Sequence, residues 1–436
     1  MSALALIARR RGVAVSGCDS DIRGAADVVN AGARVVQGHD PSHVSGARAV
    51  VFTAAVPPHH PELEAARRAG IPVITRADAL QAVVAKGRTL AIAGTHGKTT
   101  TTVMATEALA AAGLHPTGIA GGRVPAWGGN ARFDGDQLFV VEADEYARSF
   151  LSLKPTVAVI TNIEPDHMEI YGTLDALYDA FVQFASGAAR VLINADDHGA
   201  QRVGERLSVP VWRVGTSRHH DIFISYAGPH TSAAILTLPD RSTVELSLRV
   251  PGRHNVRNAA MALGAALALG GDREKAVAGL SAFSGVGRRF EQLGEANGIT
   301  VIDDYAHHPT ELEATLAAAR ERFPNARIVA VFQPHLFSRT QMLALDFGEA
   351  LAKADFAVVT DVYPAREKPI PGVTGELVAN AARDAGVAVR WVPERRHLGR
   401  AVAAWVVPGD VVITLGAGDI TDVGPELLRR LRGEAA

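Results

Sequence analysis

Residues 90–102 read Leu-Ala-Ile-Ala-Gly-Thr-His-Gly-Lys-Thr-Thr-Thr-Thr, and no other run restricts the fold of this chain as tightly. A short apolar stretch, Leu90 to Ala93, meets a glycine turn, a lysine and a row of threonines. Helical periodicity follows through Val103, Leu109 and Ala112. The order predicts strand, phosphate-binding loop, helix. Glycines let backbone N–H groups close around phosphate oxygens, and the helix N-terminus adds partial positive charge. Lys98 can reach the terminal phosphates of a nucleotide, and the Thr99 hydroxyl can ligate Mg²⁺. The full G-x-x-x-x-G-K-[ST] pattern is absent, because position 92 is Ile. The loop is a shortened form, Gly94-Thr95-His96-Gly97-Lys98-Thr99, continued by Thr100. A Gly-rich turn with a surface lysine is the competing reading; the strand and helix on either side argue against it.

A chain of 436 residues suggests three domains at about 150 residues each. Net charge is −2, with 21% charged and 47% apolar residues, so neither nucleic-acid binding nor disorder is indicated. The single cysteine, Cys18, excludes an internal disulfide and fits a reducing, cytoplasmic setting. The sixteen histidines are dispersed, with no C-x-x-C or H-E-x-x-H spacing, which argues against a structural zinc site. Apolar residues precede the arginines in Met1 to Arg11, the reverse of a secretion signal. The longest apolar stretch, Ala259 to Leu269, is shorter than the ~20 residues a bilayer requires and reads as a buried helix.

The expected fold class is α/β with three domains. Residues 1–82 form a Rossmann-like, parallel, doubly wound domain, with a helix over Ser2 to Arg11 and short buried strands at Val13–Val15, Ala33–Val36, Ala49–Phe52 and Val73–Ile74. Such a domain should open with a strand and a glycine turn; this chain opens in the helix. Residues 83–283 form the phosphate-loop domain, with strands at Leu138–Val141, Val157–Thr161, Val191–Asn194 and Val211–Val214. A more antiparallel stretch from Ile222 to Val250 and a helix from Asn255 to Leu269 follow. Phe283 to Arg289 reads as a linker. Residues 284–436 form a third α/β domain, Rossmann-like, with strands at Thr300–Asp303, Ile328–Phe332, Phe356–Thr360, Ala388–Trp391 and Val411–Leu415.

Polar residues cluster where these strands end. Glu142, Asp144 and Glu145 follow Leu138–Val141, the position of Mg²⁺ ligands in phosphate-loop domains. Thr161-Asn162-Ile163-Glu164-Pro165-Asp166-His167 follows another buried strand, taken to lie two strands from the loop, and offers His167 as a second metal ligand. Asn255 can cap the helix that follows, and Asn258, one turn on, can read a base edge or serve only in capping. Arg288 and Arg289 sit at the second domain junction, where an arginine can meet a transferring phosphoryl group or remain a solvated linker charge. In the third domain four strand ends carry polar runs: Asp303 to Glu311, Gln333 to Thr340, Asp361 to Lys368 (with Tyr363 and Arg366), and Gly416 to Asp419. They mark one rim as a binding face.

Gly-Thr-His-Gly-Lys-Thr-Thr, Glu-Ala-Asp-Glu, Asn-Ile-Glu-Pro-Asp-His, Gly-Arg-His-Asn-x-x-Asn-Ala, Gly-Arg-Arg-Phe, Asp-Asp-Tyr-Ala-His-His-Pro-Thr-Glu and Gly-Ala-Gly-Asp-Ile occur here in the order of the muramyl ligases, and the chain resembles that family over its whole length. Tyr363 to Ile370 points to the member that adds L-alanine. The resemblance implies ATP-dependent joining of L-alanine to the carboxylate of UDP-N-acetylmuramate through an acyl phosphate, in peptidoglycan synthesis, with ATP and Mg²⁺ required. It implies a nucleotide site of Gly94, Thr95, His96, Gly97, Lys98, Thr99 and Thr100, with His254 and Asn258 at adenine and Asp304 at ribose. Thr99, Glu142 and His167 would bind metal. Arg289 would meet the phosphoryl group, and Asp19, Tyr305, His307 and Arg339 would contact UDP-sugar or amino acid. Lys98, His167, Arg289 and His307 are the expected catalytic groups. Domain closure would assemble the site. The expected state is a monomer or weak homodimer, with no nucleic-acid or membrane partner.

The family usually begins with a strand and Gly-x-Gly-Gly-x-Gly-Met-Ser, a loop that cradles the UDP pyrophosphate; this sequence starts at the Met-Ser. Ala147 stands where many members have Asp, and Leu336 where some have a second arginine, leaving Arg339 with more of the amino-acid recognition. A ligase recycling murein tripeptide onto the same UDP-sugar, and an inactive nucleotide-binding relative, are the alternative readings.

Overall fold

The computed structural model describes residues 1–228, 231–365 and 367–434, so Arg366 lies outside the described residues. The chain forms two compact units. The first comprises Met1–Ser225, Ala234–Ser247 and Val256–Ser284; the second comprises Tyr226–Ala233, Leu248–Asn255 and Gly285–Ala436. No helix among the described residues is long and apolar enough to cross a membrane.

The first unit is built on a ten-stranded sheet. From edge to edge its strands are Thr243–Ser247, Ala233–Thr237, Ile222–Tyr226, Val211–Gly215, Arg190–Asn194, Val157–Ile160, Arg88–Ala93, Leu138–Glu142, Thr117–Val124 and Gly129–Arg132. The middle strands are parallel: Arg88–Ala93 pairs with Leu138–Glu142 on one side and Val157–Ile160 on the other. Near-continuous apolar runs such as Leu90–Ala93 and Val157–Ile160 are what a strand covered on both faces requires, and these residues are 0–2% exposed. Three strand ends therefore open side by side at the C-terminal edge, the usual ligand position in such sheets. The strand leading to His167 is thus the immediate neighbour of the phosphate-loop strand, not two strands away.

Residues 1–82 depart from the expected single sheet. Ser16–Asp19 pairs with Arg34–Gln37, and Val50–Phe52 pairs with Val73–Thr75, each pair parallel and separate from the other. Val13–Val15 is not a strand; the register Ser16↔Arg34 starts pairing three residues later and leaves Val13 exposed. Apolarity alone could not place that start, because strand boundaries follow the partner's register.

The second unit is a three-layer α/β/α sandwich. Its sheet runs Glu291–Ala296, Ile299–Asp304, Val411–Leu415, Ile328–Phe332, Phe356–Val359, Ala388–Trp391. The first pair is antiparallel and the rest are parallel. Period-2 alternation divides the side chains. Ile302, Ala330, Phe332, Val359, Ile413 and Leu415 pack with Leu312, Leu316, Phe347 and Val378 from the helices Pro309–Arg322, Phe337–Leu351 and Glu376–Asp384. Val301, Val329, Val331, Val358 and Val412 pack with Leu398, Val402, Val423 and Leu427 from the helices Leu398–Ala403 and Val423–Leu431. The antiparallel edge strand Glu291–Ala296 has weak apolar alternation, and it was missed in the sequence for that reason. The supposed linker is ordered: a bridge joins Val286 to Arg289, and Arg288 and Phe290 take left-handed backbone angles of φ 57° and 52°.

Candidate active site

The phosphate loop follows the strand Arg88–Ala93 and leads into the helix Lys98–Ala111. Gly94 has φ +134°, and a Cβ there would lie 2.1 Å from Thr161 Oγ1, so only glycine fits. Gly97, at φ +78°, caps the helix, and a Cβ on it would stand 2.9 Å from Asn258 Oδ1. Asn258 therefore abuts the loop itself. The loop is stapled to the neighbouring strand end. The Asn162 side chain accepts from His96 N–H at 2.7 Å and donates to His96 O at 3.1 Å, the Thr161 hydroxyl donates to His96 O at 2.6 Å, and Glu164 N–H donates to Thr95 Oγ1 at 2.9 Å. The segment read as a source of metal ligands thus spends Thr161 and Asn162 on holding the loop in shape. Thr100 is buried on the helix.

Lys98 is half-buried and donates to Gly94 O at 2.5 Å, Thr95 O at 3.2 Å and Glu145 Oε1 at 2.9 Å. Burial disfavours its charge, but the carboxylates of Glu145, Asp144 and Glu142 prevail and hold its pKa above the ordinary value. Lys98 is therefore cationic throughout the physiological range. The Tyr171 hydroxyl donates to Glu145 O at 2.6 Å, fixing the segment that carries the partner carboxylate.

The Thr99 hydroxyl donates to Glu142 Oε1 at 3.0 Å, and Gly121 N–H donates to Glu142 Oε2 at 2.5 Å. A Cβ on Gly121 would stand 2.6 Å from that carboxylate, so the glycine permits the close approach. A hydroxyl and a carboxylate oxygen beside a cationic phosphate loop form a hard-oxygen donor set, the type Mg²⁺ takes together with substrate phosphates. Thr99 and Glu142 fit that ion. His167, with φ 55°, precedes the short helix Met168–Tyr171. Its ring meets Tyr146 edge-on at 5.1 Å between centroids and lies 3.7 Å from Asp166 and 3.6 Å from Glu169. Its described contacts are these, not Thr99 or Glu142. Ala147 and Arg148 both adopt left-handed angles, φ 53° and 55°, a conformation Asp tolerates better than Ala. Asp19 ends the strand Ser16–Asp19, where it accepts from Asp21 N–H at 3.1 Å.

In the second unit the polar strand ends converge as expected. Asp304 is buried and accepts from Phe290 N–H at 2.7 Å and Ala306 N–H at 2.8 Å. Tyr305, His307, His335 and Tyr363 form a ladder of rings, with centroid spacings of 5.1, 5.8 and 5.8 Å along it. Arg288 and Arg289 each lie 5.0 Å from the Tyr305 ring centroid, within cation–π range. Arg288 also donates to Asp303 Oδ2 at 3.0 Å and Gly416 O at 2.7 Å, while Arg289 lies 3.6 Å from Glu311. Arg339 is buried, with Nη1 3.5 Å from His335 Nδ1. Leu336 takes φ 70° and donates its N–H to Tyr363 O at 3.0 Å, which joins two strand ends. His254 lies in the first turn of the helix Arg253–Ala268, with its ring over Gly252.

Residue reading singled out most of this set but did not assign Glu145, Arg288, His335 or Tyr171. Glu145 and Arg288 stood inside recognised motifs, yet nothing local named their partners, which lie 47 and 15 residues away. Tyr171 carried no signal at all.

Burial pushes the Asp304 carboxyl up to about 6 and the His307 imidazole down to about 4. The two act in opposite directions on stability. His307 is neutral in the fold, and the unfolded chain binds its proton first, so acidification below its ordinary 6.5 costs stability. Asp304 takes up its proton first in the fold, so acidification through 6 adds stability. His307→Gln removes the first effect alone. Between pH 7 and 5 the variant is expected to gain about 2 kcal/mol relative to the unmodified chain, read as a shift in urea midpoint at the two pH values. Equal pH dependence of the two proteins would contradict a neutral, half-buried His307.

Residues 1–88 match the Mur ligase family catalytic domain, 92–266 the Mur ligase middle domain, and 288–418 the Mur ligase glutamate ligase domain. A UDP-N-acetylmuramate–L-alanine ligase of Cutibacterium acnes is 44% identical over 446 aligned positions, covering 100% of this chain and 94% of that protein. One from Streptomyces coelicolor is 43% identical, covering 99% and 95%. Among solved structures, the UDP-N-acetylmuramate–alanine ligase of Thermotoga maritima superposes with a TM-score of 0.85 at 29% identity, covering 99% of this chain and 96% of that one. A murein peptide ligase from Psychrobacter arcticus shares the fold, with a TM-score of 0.76 at 24% identity over 100% and 97% of the two chains.

Proposed function

This chain belongs to the Mur ligase family, and we infer that it is an ATP-dependent ligase joining L-alanine to the carboxylate of UDP-N-acetylmuramate in peptidoglycan synthesis. The observation that carries the reading is the Lys98–Thr99–Glu142 arrangement at one sheet edge, in a chain aligned end to end with relatives of that name.

A free carboxylate is a poor acyl donor at neutral pH, and ATP corrects this. The muramate carboxylate oxygen attacks the γ-phosphorus, the bond to the β–γ bridging oxygen breaks, and ADP leaves. The amine of L-alanine then attacks the acyl carbon of the acyl phosphate, and phosphate leaves with the bonding electrons as the amide forms and the amine loses its proton. In this assignment Lys98 and the amides of Gly94 to Thr100 hold the β- and γ-phosphates. Thr99 and Glu142 hold Mg²⁺, with His167 as the candidate for a second ion. The metal supplies charge neutralisation on the phosphate oxygens. Asn258 and His254 serve adenine and Asp304 the ribose, although the two backbone bonds of Asp304 give its carboxylate a holding role as well. Arg289 meets the phosphoryl group. Asp19 contacts the UDP-sugar. Tyr305, His307 and Arg339 receive alanine and muramate; a neutral His307 can hydrogen-bond the incoming amine without adding charge beside Arg289 and Arg339. Residues 1–82, 83–283 and 284–436 are assigned as the UDP-sugar, ATP and amino-acid domains. The reading carries a cytoplasmic location and a monomer or weak homodimer.

Phosphate release with ATP, UDP-N-acetylmuramate and L-alanine together, and with each omitted in turn, tests this. Release is expected only with all three. ATP turnover that ignores the UDP-sugar, or that responds to murein tripeptide and not to L-alanine, would overturn it.

A further inference from the structure

A second cluster of ligand-type side chains lies in residues 1–82, away from the phosphate loop. It draws on the strand Ser16–Asp19, the turn after Arg34–Gln37, and the helix Pro61–Arg68. Cys18 Sγ lies 3.1 and 3.3 Å from the two Glu62 oxygens and 3.4 Å from His39 Nδ1. His39 Nδ1 lies 3.4 Å from Glu62 Oε2. Cys18 Sγ, His39 Nδ1 and Glu62 Oε2 thus form a triangle with edges of 3.3–3.4 Å. Around a tetrahedral ion with metal–sulfur bonds of about 2.3 Å and metal–N/O bonds of about 2.0–2.2 Å, ligand atoms stand about 3.3–3.6 Å apart. The triangle needs to open by only a few tenths of an ångström.

We propose that Cys18, His39 and Glu62 bind a divalent transition-metal ion of the zinc class, with the fourth position open to solvent. The access is there, because the His39 side chain is 40% exposed while that of Glu62 is 10% exposed. The surroundings fit a metal. His43 Nδ1 stands 2.8 Å from Glu62 Oε1 and His60 Nδ1 3.8 Å from Oε2, so two further imidazoles flank the carboxylate and orient it. Asp40 N–H donates to Glu62 Oε1 at 3.1 Å. The described partners of this buried carboxylate include no lysine or arginine, and a dication is the charge that the group lacks. Burial and the Glu62 carboxylate push the Cys18 thiol up to about 12, so the metal-free cluster keeps its proton; loading releases that proton to solvent as the metal–sulfur bond forms. Thiolate with imidazole selects zinc-class ions over Mg²⁺, which separates this site from the Thr99–Glu142 oxygen pair.

Co²⁺ tests the proposal, because a cobalt–thiolate bond gives an intense near-ultraviolet charge-transfer band and Cys18 is the only cysteine of the chain. The full chain, stripped with chelator and kept in excess Mg²⁺, should develop that band with one equivalent of Co²⁺ and lose it on adding Zn²⁺. His39→Ala should weaken Co²⁺ binding about tenfold or more. No band in the unmodified protein, a band that Zn²⁺ does not displace, or Co²⁺ affinity unchanged in His39→Ala would each overturn the assignment. The decisive reading is on the unmodified chain, so it does not depend on any variant folding.

Discussion

Replacing Lys98 with methionine is expected to lower kcat about 10³-fold, a loss of about 4 kcal/mol of transition-state stabilisation. The side chain is only 14% exposed and donates to the loop carbonyls of Gly94 and Thr95, and in the proposed role it turns from them to the terminal phosphates. Its raised pKa means that no change of pH within the working range will reproduce the loss. Removing it also strands the Glu145 carboxylate, which is 3% exposed, and an uncompensated buried charge costs about 3–5 kcal/mol. Slow turnover in this variant alone therefore does not separate lost catalysis from unfolding. The double variant Lys98→Met, Glu145→Gln separates the two effects. It should recover most of the lost stability, read from the denaturant midpoint, and recover none of the activity. A Lys98→Met enzyme that keeps more than a tenth of kcat would remove this lysine from the chemistry.

Glu142→Ala should lower kcat/KM for MgATP by about 10²–10³-fold and move half-activation to higher Mg²⁺ concentration. Glu142 faces Thr99 across 3.0 Å, and it is held there by Gly121 N–H. The alanine removes one of two oxygen donors and leaves that N–H without its acceptor. Glu142→Asp keeps the charge on a shorter arm, and an intermediate Mg²⁺ requirement is expected. The split matters: a purely structural role would lower kcat without moving the Mg²⁺ curve. An unchanged Mg²⁺ dependence in Glu142→Ala would therefore place the ion elsewhere, with His167 and its neighbours Asp166 and Glu169 the next residues to test.

Much of the candidate site is legible in the sequence because its signals are local. A strand, a glycine turn, a lysine and a helix follow one another without a break from Arg88 to Ala111, and their geometry follows from neighbours in the chain. Polar runs directly after apolar strands were legible for the same reason, and parallel pairing brings them to one edge whatever the strand order. What failed needed the order itself. The sequence suggests a His167 strand two away from the loop, yet that strand is next to it, because local periodicity carries no record of which strands pair. The start of the first strand follows its partner's register rather than the apolar run, and the edge strand Glu291–Ala296 carries no apolar pattern to announce it.

The amino-acid sequence by itself determined that this chain is α/β, that a glycine turn at Gly94 to Gly97 leads from a strand into a helix, and that polar residues follow the strands of the C-terminal sheet. Local hydrophobic spacing and turn chemistry are sufficient for those. Only the tertiary structure decided that Lys98 is balanced by Glu145, that Arg288 is locked between Asp303 and Gly416, and that Cys18 meets His39 and Glu62 across 21 and 44 residues. Such contacts join side chains that share no segment. They exist because burial drives whole strands and helices together, and the charges left at their ends must find partners wherever the packing has set them down.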